Sequence, residues 1–464
     1  MTTGRVLTKE EREQLEQDDK RYVWHPFTPQ DEWAAKRPLI IEEGQGSYLI
    51  DVSGQWYLDG VSSLWLTVHG HNRPEIKQAI VEQLDRIEHS TFLGLTHRPG
   101  IELAKRLTEI APEGLTRVFY SDTGAAAVEI ALKMAYQYWQ QRPDGPRPAK
   151  TKFLCLDNGY HGDTLGAVSV GGIDTFHAAY KPLLFPAYRA ASPYSYRLPG
   201  EGPDDCMQAC LAAMERMLAE HHEEIAALIM EPLIQGAGGM IAYPEGYTRA
   251  AWELAKKYDV LFIADEVATG FGRTGTMFAC GREGVQPDLM TVGKGITGGY
   301  LPLAATLATE RIYEAFLGRP EEGRTFYHGH TYTANPLACA AALASLDLFE
   351  QDRVIEGLEA KIDFLRRGLE RFWRLDHVGD IRHAGLMAGI ELVRDRQTRE
   401  PYPAADRVGV QVIDEARAHG LILRPLGDVI VLMPPLSAGE GDLQVLLDVT
   451  YQAVRSVTEG GPEW

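Results

Sequence analysis

Long apolar runs, clustered cysteines and basic blocks are all missing from this chain of 464 residues. No stretch approaches the roughly 20 apolar residues that a membrane-crossing helix needs. The opening MTTGRVLTKEEREQLEQDDKRY is polar and charged, without the apolar core of a secretory signal. The five cysteines (Cys155, Cys206, Cys210, Cys280, Cys339) are odd in number and scattered, which suits a reducing compartment better than a disulfide framework. Cys206 and Cys210 have helical i, i+4 spacing, but no second ligand pair lies close in sequence, which argues against zinc. A formal charge of −19, offset by no basic block, argues against a nucleic-acid partner. Neither an internal repeat nor a low-complexity linker is visible. These absences predict a soluble, cytoplasmic protein.

What remains is an ordinary globular composition, 45% hydrophobic and 24% charged, in a chain long enough for two domains or subdomains. Between about 115 and 310, short β-rich apolar runs alternate with helical patterns. Strands are expected at 117–121, 152–156, 226–231, 260–265, 289–293 and 303–309, and helices at 125–140, 204–221 and 246–258. This alternation predicts an α/β domain with a mainly parallel sheet, which places ligands at the carboxyl ends of its strands. Residues 39–59 read as a meander with a Ser-Gly turn. The tail reads as a long helix (350–374), short strands around 386–393 and 421–433, and a final helix. The expected division is a large domain over 71–338 and a smaller α+β domain assembled from 1–70 and 339–464. The polar stretches 141–151 and 197–205 read as surface loops.

The chemistry gathers in five segments. One apolar run, LFIAD, ends in Asp265, and 29 positions later a second ends in Lys294 between two glycines. An acid and an amine at one sheet edge suit pyridoxal phosphate, whose pyridinium nitrogen needs a carboxylate and whose aldehyde needs an amine. A surface-loop lysine is the commoner outcome for G-K-G alone. Asp265 and the turn at Thr123 reverse those odds. That turn, Asp122-Thr123-Gly124-Ala125, leads from the strand RVFYS into a helix and could hold a phosphate on its backbone amides. The plainer possibility is an N-cap before an alanine-rich helix. Asn158-Gly159-Tyr160-His161-Gly162 follows the strand KFLCL, so Tyr160 could stack on a ring, although by itself the segment reads as a surface turn. Arg424, at the end of an apolar strand, could grip a substrate carboxylate or form an ordinary surface ion pair. Gly293–Gly298 matches G-x-G-x-x-G, but no acidic strand end follows and Pro302 breaks the expected helix, so a dinucleotide site is rejected. His69-Gly-His71 and His328-Gly-His330 lack a nearby carboxylate or Cys at ligand spacing, and no metal is expected.

Taken together, IADEVATGFGRTG, the Lys294 segment and SDTGAAAVEIALKMA resemble class III (ornithine/GABA-type) aminotransferases. The resemblance implies fold type I: an α/β large domain whose mainly parallel sheet is flanked by helices, plus a smaller α+β domain. WHPFT (24–28), DGVSSLW…VHGHN (59–72), NGYHGDT (158–164), EPLIQGAGGM (231–240), HGHTYTANPLACAAA (328–342) and LRPLGDVI (423–430) are similar to the branch that converts 8-amino-7-oxononanoate to 7,8-diaminononanoate in biotin synthesis. The likeness runs over nearly the whole chain. It implies that Lys294 carries the cofactor and serves as base, that Asp265 pairs with the ring nitrogen, and that Tyr160 and Val267 lie on opposite ring faces. Thr123, Gly124 and Ala125 would bind phosphate, joined by His330 and Thr331 from the neighbouring subunit of a homodimer. His161 and Glu231 would complete the cofactor site. Arg424, Gly329, Phe27, Leu64, Trp65, Tyr160 and Arg273 would meet the substrates.

One departure bears on the amino donor. The branch that uses S-adenosylmethionine usually has Tyr, Trp and Tyr where this chain has Phe27, Leu64 and Val431. Losing two hydroxyls and an indole removes contacts suited to adenosine and a sulfonium. The resemblance therefore points to L-lysine as donor. Three other readings compete: another ω-aminotransferase of the class, a Schiff-base lyase without a cofactor, and a non-enzymatic binding protein. WHPFT and RPLGDVI argue against the first; the second has no use for Asp265 or the phosphate turn; nothing in the sequence recommends the third.

Overall fold

The computed structural model describes residues 6–198 and 202–460. Residues 199–201 of the loop expected at 197–205, and the ends of the chain, lie outside the described residues.

A seven-stranded sheet forms the centre. Its order is Leu115–Ser121, Ala304–Thr309, Leu289–Val292, Leu261–Asp265, Ile225–Met230, Lys152–Leu156 and Tyr188–Ala190. Only Ala304–Thr309 runs antiparallel to its neighbours. Every residue of Ile225–Met230 and Leu261–Asp265 is buried, as expected for strands covered on both faces. Helix Gly124–Gln141 packs Ala127, Val128, Ala131, Leu132, Ala135 and Trp139 inward, a helical repeat of three and four residues.

A second, antiparallel sheet joins Val378–Ala384, Met387–Leu392, Val429–Leu432 and Arg424–Leu426. The N-terminal meander (Ile41–Gln45, Tyr48–Asp51, Trp56–Asp59) is completed by Leu421–Ile422, which pairs parallel to it at Leu421↔Leu58 and Ile422↔Asp59. The early and late parts of the chain are thereby stitched together beside the large sheet.

The six expected strands and three expected helices of the central region are present within two residues of their bounds. The single long helix expected at 350–374 is not. Helix Pro336–Gln351 ends at Asp352, Arg353 takes a left-handed φ of 48°, and Val354–Leu369 begins afresh before a 3-10 turn over Glu370–Arg374. The break was invisible in LFEQDRVIEGL because neither Gly nor Pro stands at Asp352-Arg353; the one glycine, Gly357, lies inside the second helix. The preceding helix has a clear start: Asn335 Oδ1 accepts from Leu337 N and Ala338 N, both at 3.1 Å, and Pro336 occupies the first turn. Strands Tyr188–Ala190 and Val378–Ala384 went unread; the first has three residues, and the second carries Gly379, Asp380 and Arg382.

Candidate active site

The carboxyl ends of the parallel strands converge on Asp265. Its place at the end of Leu261–Asp265 sets it opposite Thr291, whose hydroxyl donates to Asp265 Oδ1 at 3.1 Å. Val267 N donates to the same oxygen at 3.1 Å, and His161 Nδ1 lies 2.7 Å from Oδ2. A carboxylate accepts, so His161 carries its proton on Nδ1. His161 Nε2 is buried and has no hydrogen-bond partner among the described residues.

Lys294 opens a 3-10 turn two residues after Leu289–Val292, with φ of 41°. Its Nζ stands 4.9 Å from the centroid of the Trp65 ring. Burial lowers the Lys294 ammonium below its ordinary value, while Asp265 and Glu231 pull the other way. A neutral amine is thereby brought closer to working pH.

Glycines let three segments approach here. A Cβ on Gly124 would sit 2.6 Å from Val267 Cγ1, and one on Gly293 would sit 3.4 Å from the same atom. Gly162, at φ +120°, would place a Cβ 2.4 Å from Ala125 Cβ. The Asp122–Ala125 turn, the Asp265–Val267 segment and the Tyr160–Gly162 loop therefore share one small space. Thr123 caps helix Gly124–Gln141, its Oγ1 accepting from Ala126 N at 3.2 Å, while helix geometry leaves the N–H groups of Gly124 and Ala125 without intrahelical acceptors. Ser121, at the end of the preceding strand, has a buried hydroxyl with no hydrogen-bond partner among the described residues. Sequence reasoning did not single out Ser121, which nothing distinguishes from other strand-end serines.

Glu231 fixes the ring-side loop. Its Oε1 accepts from Tyr160 N at 3.1 Å and its Oε2 from Gly236 N at 2.9 Å, and burial pushes its carboxyl up to about 7. The Tyr160 hydroxyl donates to Asp163 Oδ2 at 2.7 Å. Burial, then the bond to Asp163, raises its pKa.

The Arg424 side chain is half-buried and has no hydrogen-bond or ion-pair partner among the described residues; its Cζ lies 5.9 Å from the Phe27 ring. Burial lowers its pKa, with Tyr160 opposing. Phe27, 54% exposed, packs at 5.4 Å on Phe176, which in turn lies 6.2 Å from Tyr160. Phe176 extends the aromatic wall and was not foreseen. Leu64 is exposed beside Trp65, whereas Val431 is wholly buried in the small sheet, opposite Arg424 and Gly389. Arg273, 2% exposed, donates from Nη1 to Pro434 O at 2.6 Å and from Nη2 to Thr67 O at 2.8 Å, and burial pushes it down to about 9.

Of the loop residues, His330 Nδ1 lies 3.2 Å from Asp122 Oδ2 of the same chain, and Gly329 and Thr331 are exposed. Among the paired histidines, His69 Nε2 meets Ser345 Oγ at 3.0 Å, His71 Nε2 meets Asp59 Oδ2 at 2.9 Å, and His328 Nε2 lies 3.3 Å from His330 Nε2. No helix among the described residues is long and apolar enough to cross a membrane.

The donor set and the room around it fit pyridoxal phosphate. An amine and a carboxylate face the same space, free helix amides and an unpartnered hydroxyl stand where an anion would lie, and glycines keep side chains out of the cradle.

The profile of the aminotransferase class-III family matches residues 30–454. The adenosylmethionine-8-amino-7-oxononanoate aminotransferase of Geobacter sulfurreducens is 54% identical over 95% of this chain and 97% of its own. The crystal structure of the protein of that name from Methanocaldococcus jannaschii superposes with a TM-score of 0.91 at 49% identity, covering 96% of this chain and 99% of that one. A thermostable (S)-enantioselective omega-transaminase from Thermomicrobium roseum gives 0.92 at 35% identity, over 98% and 100%. The chain therefore belongs to the class-III aminotransferases, a family of enzymes that in general depend on pyridoxal phosphate.

Proposed function

We propose that this enzyme moves an amino group onto the 7-keto carbon of 8-amino-7-oxononanoate, forming 7,8-diaminononanoate for biotin synthesis, with pyridoxal phosphate as cofactor and L-lysine as donor. The observation that carries the substrate reading is Arg424, a half-buried guanidinium that faces the Phe27 ring and has no hydrogen-bond or ion-pair partner among the described residues. A carboxylate at the far end of the acceptor would complete it as a charge-assisted, bidentate pair. Relatives that share about half of this sequence along almost its full length, and that carry this acceptor in their names, support the same reading.

When bound, the cofactor supplies an aldehyde that condenses with amines and a ring that accepts an electron pair from the neighbouring carbon. Lys294 Nζ would hold it and, once displaced by a donor amine, take a proton from the donor carbon and return it later. The lowered Lys294 pKa suits that exchange. Asp265, oriented by Thr291, Val267 and His161, would accept the ring N–H. Tyr160 and Val267 would bound the ring, with Glu231 fixing the Tyr160 backbone. Gly124, Ala125 and Thr123 would bind the phosphate. In a homodimer, His330 and Thr331 of the adjoining subunit would complete that cradle, and the exposed Tyr327 and Tyr332 on the same loop support such packing.

Phe27, Leu64 and Val431 support lysine over S-adenosylmethionine. The second donor is favoured by the names of the relatives, which include adenosylmethionine. Mixing holoenzyme with each donor separately and following visible absorbance decides between them. Loss of the aldehyde form with lysine alone, reversed by 8-amino-7-oxononanoate, is expected. Reaction with S-adenosylmethionine alone would overturn the donor, and reaction with neither would overturn the substrates.

A further inference from the structure

The turn that carries Trp65 is the most contorted stretch of non-glycine backbone among the described residues. Ser62, Ser63 and Trp65 have φ of 51°, 59° and 67°, three left-handed residues within four positions. Such conformations are disfavoured for side-chain-bearing residues and persist only where surroundings over-determine them.

Asp59 supplies that restraint. It is 0% exposed, and both its oxygens accept from Ser63 N at 2.8 Å. Val61 N reaches Oδ1 at 3.4 Å, and His71 Nε2 lies 2.9 Å from Oδ2. No lysine or arginine pairs with it; His71 is its one ion-pair partner among the described residues. Two further ties hold the turn from outside: Ser62 Oγ donates to Met433 O at 2.7 Å, and Arg273 Nη2 donates to Thr67 O at 2.8 Å. Removing a carboxylate from water is costly unless it gains hydrogen bonds in return, and here those bonds go to the strained turn itself. The turn ends with the Trp65 ring centroid 4.9 Å from Lys294 Nζ. Gly236 lies under the ring, where a Cβ would come 3.0 Å from Trp65 Cζ3.

We propose that Asp59, with His71, is a positioning residue for the reaction: it locks the left-handed Ser62–Trp65 turn so that Trp65 faces Lys294 and Leu64 stands exposed beside it. The inference rests on Lys294 as the reacting amine. Asp59 touches neither substrate nor cofactor and acts through the turn.

The test uses wild-type, Asp59→Ala, Asp59→Asn and His71→Gln holoenzymes. Two quantities are read: backbone hydrogen exchange over residues 60–68, and the donor half-reaction resolved into half-saturation and limiting rate. Asp59→Ala is expected to speed exchange at Ser63 and raise the donor half-saturation about tenfold or more, the effect of misplacing a site wall, while cofactor content stays at the wild-type level. Asp59→Asn, which keeps an acceptor for Ser63 N, is expected to recover most of both. If Asp59→Ala does not fold, His71→Gln, which removes the imidazole partner of the carboxylate, must speed exchange over residues 60–68 and shift half-saturation several-fold. Faster exchange with unchanged half-reaction constants would overturn the inference, leaving a purely structural carboxylate, as would unchanged exchange. A wild type that reacts with no amine would overturn the reading of Lys294 along with it. A reactive wild type with indifferent variants overturns this inference alone.

Discussion

The strand ends around Asp265 and Lys294 and the wall formed by segments 24–28, 59–72 and 424–431 are built on opposite principles. At the strand ends, regular parallel pairing delivers the groups: the register that sets Asp265 against Thr291 also orients the carboxylate. In the wall, Arg424 and Val431 sit on paired strands, whereas segments 24–28 and 59–72 are placed mainly by irregular backbone held by polar contacts, with left-handed residues at Phe27, Ser62, Ser63 and Trp65. Chemistry shared by a family can sit on a sheet that many sequences form alike. Discrimination between substrates sits where single side chains and turns can change without disturbing that sheet.

The difference can be broken most severely at the sheet. Lys294→Ala should reduce turnover by about 10⁴-fold or more, with the cofactor's visible band changed and phosphate-side binding retained; stopped-flow and dialysis against free cofactor check both. On the wall, Arg424→Ala should raise KM for 8-amino-7-oxononanoate by roughly 10- to 100-fold, the equivalent of about 1.5–3 kcal/mol for a charge-assisted pair, with kcat little altered. A matching fall in kcat would place Arg424 with the chemistry and blur the distinction.

Phe27→Tyr should improve use of S-adenosylmethionine by a few-fold, read as kcat/KM for that donor. Val431→Tyr is a poorer probe, because Val431 is wholly buried beside Trp65 and Met387, and overpacking there would cost about 1–3 kcal/mol in stability. The smallest effect concerns pH. Glu231 has its carboxyl raised from 4.5 to about 7 by burial, so its protonated form is favoured on folding. The associated stability is present in full below 4.5 and is lost as pH rises through about 7. Thermal midpoints should therefore show a falling component across that window, and Glu231→Gln should flatten it.

Much of the central sheet could be read from the sequence because buried parallel strands are short unbroken apolar runs, and LFIAD and KFLCL advertise both strand and edge. Asp265 and Lys294 stood out because each terminates such a run. Thr123 was legible as a cap. Asp59, Ser121 and Phe176 were not, since their roles arise from partners far along the chain or from the lack of one: Asp59 acts through a turn whose φ values no residue type announces. Arg273 was expected at the donor, and its contacts to Thr67 O and Pro434 O could not be foreseen because backbone carbonyls carry no sequence signature. The break at Arg353 was hidden for a related reason, a left-handed residue without glycine.

The central claim is that Lys294 is the amine on which the cofactor is carried. Borohydride reduction of the holoenzyme, followed by proteolysis and mass mapping, fixes the cofactor to whichever amine holds it. The account predicts a single modified peptide, spanning Lys294 and absent from Lys294→Ala. A pyridoxyl group on another lysine, or none on any, would contradict it.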